Sequence, residues 1–592
     1  MKHSAVVPLI LGLGMFAAAC GPAAGPAPSG GATTAPAAQP TQPAAAAAKP
    51  TTAPAAQATT APAAQATTAP AAAPTNAAAA KPTTAPAAQP TTASAAAAVV
   101  PGKPGGTLTI ATQRDATTFD PTKSQDVYSN DILSLVCDTL FEVDDKGQVV
   151  GRLVDKVDNS DPTTYIFTLR PGIKFQDGTD FNSDAVKFNM MRHMNDPKST
   201  TIQDWKPIKT IDTPDPMTVK ITLSQPFAPF LSRLTTGLGF VQSPAAVQKL
   251  GDNLQRDLTG AGSGPYKFVS WDPDNQIVLE RNPDFWRKDA NNTTVNYADK
   301  IIFKPFPDEN VQLANVKTGD AQAIAGNPPF KDVADLKTSP DLTLSQIPGL
   351  GFQFLFLNTT KAPFDNPAVR RALAYSIDRA QLVQAVNFGN AKVLTLPMPQ
   401  SIPWAYMNSS PYEKRDIDKA KQELTAAGMS APINFSLQIS NASPQLQQVA
   451  ELVKDQIKDA GFEMDIQLIE FATIVQNGNT GDYQALSLGW SGSVDPDGNT
   501  YPLFYTGSGF NFAKYSSPDL DKALDAGRTN VDQAKRAQAY MDAQKVLLQD
   551  QPMVVLYSQD QITTVRKNVM NWPNNYNGWF GGRDYNRAFL TQ

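Results

Sequence analysis

The sequence predicts an α/β fold in two lobes, and three observations carry that reading. About 490 residues, from Gly105 to Gln592, lie beyond a low-complexity leader, which is too much chain for one hydrophobic core. Strand-like alternation and helix-like periodicity are mixed along that length. One stretch, Ile433 to Glu470, holds a complete strand, helix and strand pattern.

Taken in order, Thr107-Leu108-Thr109-Ile110 alternates as a strand. Tyr165 to Leu169 alternates likewise and runs into Pro171-Gly172, then Ile173-Lys174-Phe175, a hairpin candidate with Pro and Gly at the type II turn positions. A helix should open at Asn366-Pro367 with Val369, Leu373 and Ile377 as its buried stripe. In the central unit Ile433, Phe435, Leu437 and Ile439 alternate. Ser443-Pro444 then supplies an N-cap and a first-turn proline, and Val449, Leu452, Val453 and Ile457 share a helical face. Gly461 closes that helix, and Phe462, Met464, Ile466 and Leu468 form the second strand, parallel to the first. A further helix follows Ser517-Pro518, with Leu520 and Leu524 inward.

The leader sets the compartment. Lys2 and His3 precede an apolar run from Ala5 to Ala19, and Ala17-Ala18-Ala19-Cys20 places small residues before a cysteine. This is a signal peptide over residues 1–19, too short to stay as a spanning helix. Its ending resembles a bacterial lipobox, in which Cys20 takes a lipid and becomes the mature N-terminus. Residues 20–102 then form a linker of Ala, Pro, Thr and Gln, with Thr pairs at Thr51, Thr59, Thr67, Thr83 and Thr91 spaced by multiples of eight. With Lys49 and Lys81 as its only charges and almost no large apolar side chain, it cannot offset the entropy of ordering and should be a disordered spacer. At about 3.1 Å per residue in polyproline II, it reaches at most ~250 Å.

Composition excludes several functions. The net charge is −5, without the clustered basic face that nucleic-acid binding requires. His3 and His193 are the only histidines, so a histidine metal site cannot form, and no cofactor is indicated. Cys137 is the one cysteine besides Cys20 and reads as a small buried residue.

Several strings in order resemble the bacterial extracellular solute-binding proteins of the peptide/nickel class, family 5. They are Gly105-Gly106-Thr107-Leu108-Thr109-Ile110 with Phe119-Asp120-Pro121; Cys137-Asp138-Thr139-Leu140-Phe141; and Phe167 to Thr179. After these come Gly264-Pro265-Tyr266-Lys267-Phe268 with Leu279 to Trp286, then Val369 to Arg379, and then Gly489-Trp490 with Asp495-Pro496-Asp497. The resemblance implies a two-lobed periplasmic-binding-protein-like clamp, type II and cluster C-like, with an extra N-terminal subdomain. It implies lobe I over residues 103–350, lobe II over 351–558, and a return to lobe I over 559–592. The partners implied are a small-molecule or peptide ligand, an ABC permease with its ATPase subunits, and the membrane through the lipid anchor. The protein is expected to act as a monomer at the outer face of the cell membrane, periplasmic or cell-surface, and not as an enzyme.

The loop after Gly489-Trp490 is the first candidate for the ligand site. Related peptide binders place an aspartate there for the ligand's amine; here Ser493 occupies that position and the loop is one residue shorter. Asp495 remains a candidate amine partner, although Asp before Pro also serves turns. Trp490, Trp404, Tyr501 and Phe119 are candidate aromatic walls. Arg370 and Arg371 read as a solvated helix face, with a carboxylate clamp as the alternative. The competing functions are a secreted carboxylate-pair hydrolase, which needs no histidine or cysteine, and a non-transport receptor on the same fold.

Overall fold

The computed structural model describes residues 103–124, 126–144, 147–441, 443–573 and 585–591. The chain divides into Met1–Thr83 and Thr84–Gln592, and every described residue belongs to the second unit. The signal peptide, Cys20 and the whole linker lie outside the described residues.

Thr107–Thr112 forms as expected and occupies the middle of a seven-stranded sheet, parallel to both Lys300–Pro305 and Ala323–Ile324. A central strand is covered on both faces, hence its nearly continuous burial. Leu108 and Ile110 face a core with Leu133, Tyr266 and Ile301, while Ala111 faces Leu313, Val316 and Leu342. Cys137 is fully buried in the first of these cores, and burial pushes its thiol up to about 12. A four-stranded antiparallel sheet belongs to this lobe, with the spatial order Val154–Asp158, Thr164–Leu169, Thr218–Leu223 and Ile208–Asp215. It packs with the helix Ser183–Asn195 around Phe167, Val186, Val219 and Ile221, an inserted subdomain with its own core.

The hairpin expected at Pro171-Gly172 does not form. Gly172 takes a positive φ of 77°, so the turn chemistry is present. Thr164–Leu169, however, pairs with Val154–Asp158 and Thr218–Leu223, which leaves no free edge for Ile173 to Phe175. That segment instead folds on itself, with Phe175 N–H donating to Thr179 O at 2.8 Å, and buries Ile173 and Phe175 in the subdomain core.

The second lobe is a six-stranded mixed sheet ordered Ala391–Val393, Met553–Gln559, Phe352–Leu357, Ala485–Trp490, Ile433–Ser440 and Phe462–Ile469. Ile433–Ser440 and Phe462–Ile469 are parallel, joined by the helix Pro444–Ile457, as the sequence predicts. Ser443 caps that helix by accepting Leu446 N–H, Gly461 ends the helical stretch at φ 92°, and Val449, Val453 and Ile457 are buried. Each such side chain contributes about 1.5–3 kcal/mol on burial. Helices cover both sheet faces. Leu355, Leu373, Leu437 and Val453 fill one side; Phe354, Phe356, Leu520 and Leu524 fill the other. The helix Pro367–Tyr375 buries Val369 and Leu373 but ends before Ile377. Arg370 on it is not solvated: it is buried and donates to Asp550 O and Phe364 O, both at 2.7 Å. Arg371 pairs with Glu423 at 2.7 Å.

Between the two large sheets the chain crosses twice, from Ile347 to Phe352 and from Gln559 to Gln561. Glycines let the crossings run against each other. A Cβ on Gly349 would lie 2.0 Å from Gln559 O, and one on Gly351 would lie 2.6 Å from Trp490 O. Asn327 clamps the return crossing by donating to Asp560 O at 3.1 Å and accepting Ile562 N–H at 2.8 Å.

Candidate functional site

In both lobes the parallel strands end on the side of the crossings. In lobe I the carboxyl end of Ala323–Ile324 points toward Gln561, because Ile324 pairs with Thr564 and Ala323 with Val565. In lobe II Ile433–Ser440 is parallel to Phe462–Ile469 and to Ala485–Trp490, and Trp490 pairs with Phe352 at the crossing. Ligands of open α/β sheets bind beyond the carboxyl ends of the strands, which places the candidate site at this edge.

Three apolar side chains stand exposed there. Leu468 and Phe471, where the strand Phe462–Ile469 gives way to the next helix, are each 55% exposed, and Phe510 is 48% exposed. Phe510 stands edge-on to Trp490 with ring centroids 5.7 Å apart. Trp490 itself is half-buried, and its Nε1 donates to Gly498 O at 3.1 Å. On lobe I the exposed Arg114, just past Thr107–Thr112, lies over the Tyr128 ring at 5.4 Å.

The loop between Trp490 and the helix Pro496–Phe504 is held from within. Asn499, fully buried, accepts Ser493 N–H at 2.9 Å and donates to Ser493 O at 3.0 Å. Ser493 Oγ accepts Asp495 N–H at 3.2 Å. Gly492, at φ 84°, passes so near the crossing that a Cβ there would lie 2.2 Å from Leu350 O. Asp495 is the N-cap of the helix, its Oδ1 accepting Asp497 N–H at 2.9 Å and pairing with Arg536 Nη2 at 2.6 Å. This carboxylate is engaged by the turn, the alternative that the sequence offered to an amine partner, and by an arginine.

The remaining candidates divide. Arg536 lies 5.3 Å from the Trp404 ring, joining Trp404 to Asp495, and Trp404 also meets Tyr540 edge-on. Tyr501 stacks on Tyr505 at 4.2 Å, with the Arg528 guanidinium 3.2 Å from its ring centroid. Trp490, Asp495, Trp404 and Tyr501 therefore belong to one neighbourhood of lobe II. Phe119 does not. It has no exposed surface and packs between Phe268 and Trp271 at 5.5 and 4.7 Å, a core residue of lobe I.

Sequence reading gave no role to Asp497, Arg528 or Arg536. Asp497, 1% exposed, takes a two-point grip from Arg528, both contacts at 2.8 Å. Burial pushes its pKa up, but Arg528, Arg233 and Arg536 outweigh that and hold it below the ordinary value. A carboxylate so held stays ionised and is no proton donor near neutral pH. Among the described residues no three His, Cys, Asp or Glu side chains converge as a metal site.

Two sheets joined by a double crossing, with an aromatic edge at the strand ends, define a binding protein that closes around a small solute. The chain belongs to the bacterial extracellular solute-binding proteins, family 5, whose pattern matches residues 148–512. It is a solute-binding protein of that family. The glutathione-binding protein GsiB of Pectobacterium atrosepticum is 30% identical over 480 residues, covering 78% of this chain and 90% of that one. The periplasmic binding protein DppA of Helicobacter pylori, solved with the peptide STSA, superposes with a TM-score of 0.72 at 24% identity, over 83% of this chain and 99% of its own. NikZ of Campylobacter jejuni, solved with Ni(L-His), gives 0.70 at 22% identity, over 80% and 97%.

Proposed function

We propose that the solute is a small peptide-like or other small organic molecule, held against Trp490 and Phe510 at the lobe II edge and covered by lobe I. The aromatic pair carries this reading, because it leaves apolar surface open at the strand ends where the rest of the sheet face is packed. The glutathione bound by the GsiB relatives is a small peptide, which supports the size class. Ser493 in the position of an amine-binding aspartate, and an Asp495 already paired, favour a ligand anchored through neutral hydrogen bonds and ring contacts at this loop. Trp404 and Tyr501 act behind the wall, through Arg536 and Arg528.

The protein is proposed to be held at the outer face of the membrane through a lipid on Cys20, with residues 20–102 as the spacer. It delivers its solute as a monomer to a permease driven by ATPases, and leaves that solute unchanged. Among the described residues no helix is long and apolar enough to cross a membrane.

Calorimetry with glutathione and a panel of di- to pentapeptides tests the site. Trp490→Ala is expected to weaken whichever ligand binds by about 2 kcal/mol, roughly thirty-fold. Unchanged affinity in a folded Trp490→Ala protein would remove the aromatic edge from the site.

A further inference from the structure

The subdomain of lobe I touches lobe II through a small polar contact. Ala228 N–H donates to Arg528 O at 2.8 Å. Arg528 lies in the last turn of the helix Pro518–Thr529, whose final carbonyls have no partner within the helix. Gly527 O is taken by Arg536 Nε at 2.9 Å, within lobe II; Arg528 O is taken from the other lobe. Arg233 Nη2 approaches Asp497 Oδ2 at 3.4 Å, and the Arg528 guanidinium lies 5.2 Å from the Phe227 ring. Phe227 belongs to the subdomain core, while Leu520 and Leu524 of the Arg528 helix belong to the lobe II core.

We infer that Phe227, Ala228 and Arg233 form a reversible latch with Asp497 and Arg528, which sets how much of the ligand-free protein is closed. Each half is satisfied without the other. Asp497 keeps both contacts to Arg528 inside lobe II, and Arg233 keeps Asp204 at 3.3 Å inside the subdomain. Parting the lobes therefore leaves no charge without a partner; it frees one amide and one carbonyl to water and separates Arg233 from Asp497 and Phe227 from Arg528. A contact this small, with each charge already paired inside its own lobe, holds the lobes weakly, so both states are populated. The latch is also tied to the ligand edge. Trp490 Nε1 bonds the carbonyl of Gly498, the residue after Asp497, so displacement of the indole is passed directly to the latch.

The latch rests on the reading of the lobes as moving parts, but its test needs no ligand. Hydrogen–deuterium exchange of the full chain, followed in fragments containing Ala228, reports the cross-lobe bond. Arg233→Glu sets a negative charge against Asp497 and Asp204, and is expected to speed exchange at Ala228 roughly ten-fold. Fragments covering Ile433–Ser440 should keep their wild-type rate. If Arg233→Glu loosens the whole domain, Arg233→Gln decides: selective acceleration at Ala228 supports the latch. A wild-type rate at Ala228 in a folded variant overturns it. Failure of every solute to bind, with Ala228 still responding, would count against the ligand reading and leave the latch standing.

Discussion

His193 is buried against Trp205, with ring centroids 5.1 Å apart and Nδ1 2.8 Å from the Thr201 hydroxyl. Burial, with the nearby Arg192 guanidinium, pushes its pKa down to about 3, against a smaller opposing pull from Asp120. In the unfolded chain the imidazole titrates near 6.5, so between those values the unfolded state binds the extra proton. Stability is therefore complete above about pH 6.5 and is lost as pH falls toward 3, by an amount of order a few kcal/mol. Thermal unfolding at pH 6.5, 5.5 and 4.5 should show a falling midpoint in the wild type and a flatter one in His193→Gln. Parallel curves would contradict this. Other residues were partly legible. Asp495 before Pro496 offered a turn role beside the ligand role, and in the structure it caps the start of a helix. Its partner Arg536 was not, because it comes from a different helix and no spacing rule links the two. Phe119 failed as a wall because residue type alone does not separate a buried aromatic from an exposed one.

Among the elements, the central strand, helix and strand unit was readable nearly to its ends, since period, N-cap, proline and closing glycine agree there. The Pro171-Gly172 hairpin was not, because a correct turn does not say which strand will claim the neighbouring edge. The site loop shows the same limit. The sequence marks Ser491-Gly492-Ser493 as part of a candidate ligand loop but not that Gly492 is where loop and crossing meet backbone to backbone. Gly492→Ala adds a side chain at positive φ and within 2.2 Å of Leu350 O. It should cost about 2 kcal/mol or more in chemical denaturation and weaken ligand binding with it. Full stability and affinity in that variant would show that the close approach is not required.

Across the molecule, two lobes with separate cores are joined by two crossings and a few polar contacts, among them Ala228 to Arg528 and Gln346 to Asn390, an arrangement in which relative motion is the default. Length and mixed periodicity predicted the α/β class, and ordered strings predicted the clamp. The contacts that couple the lobes were hidden, since Arg233 and Asp497 lie 264 residues apart and no spacing rule links them. The central claim is capture without chemistry. Native mass spectrometry of the purified protein, before and after incubation with glutathione and the peptide panel, tests it most directly. The expected result is a one-to-one adduct that denaturation releases with its mass unchanged; release of a hydrolysed or otherwise altered solute would contradict the account.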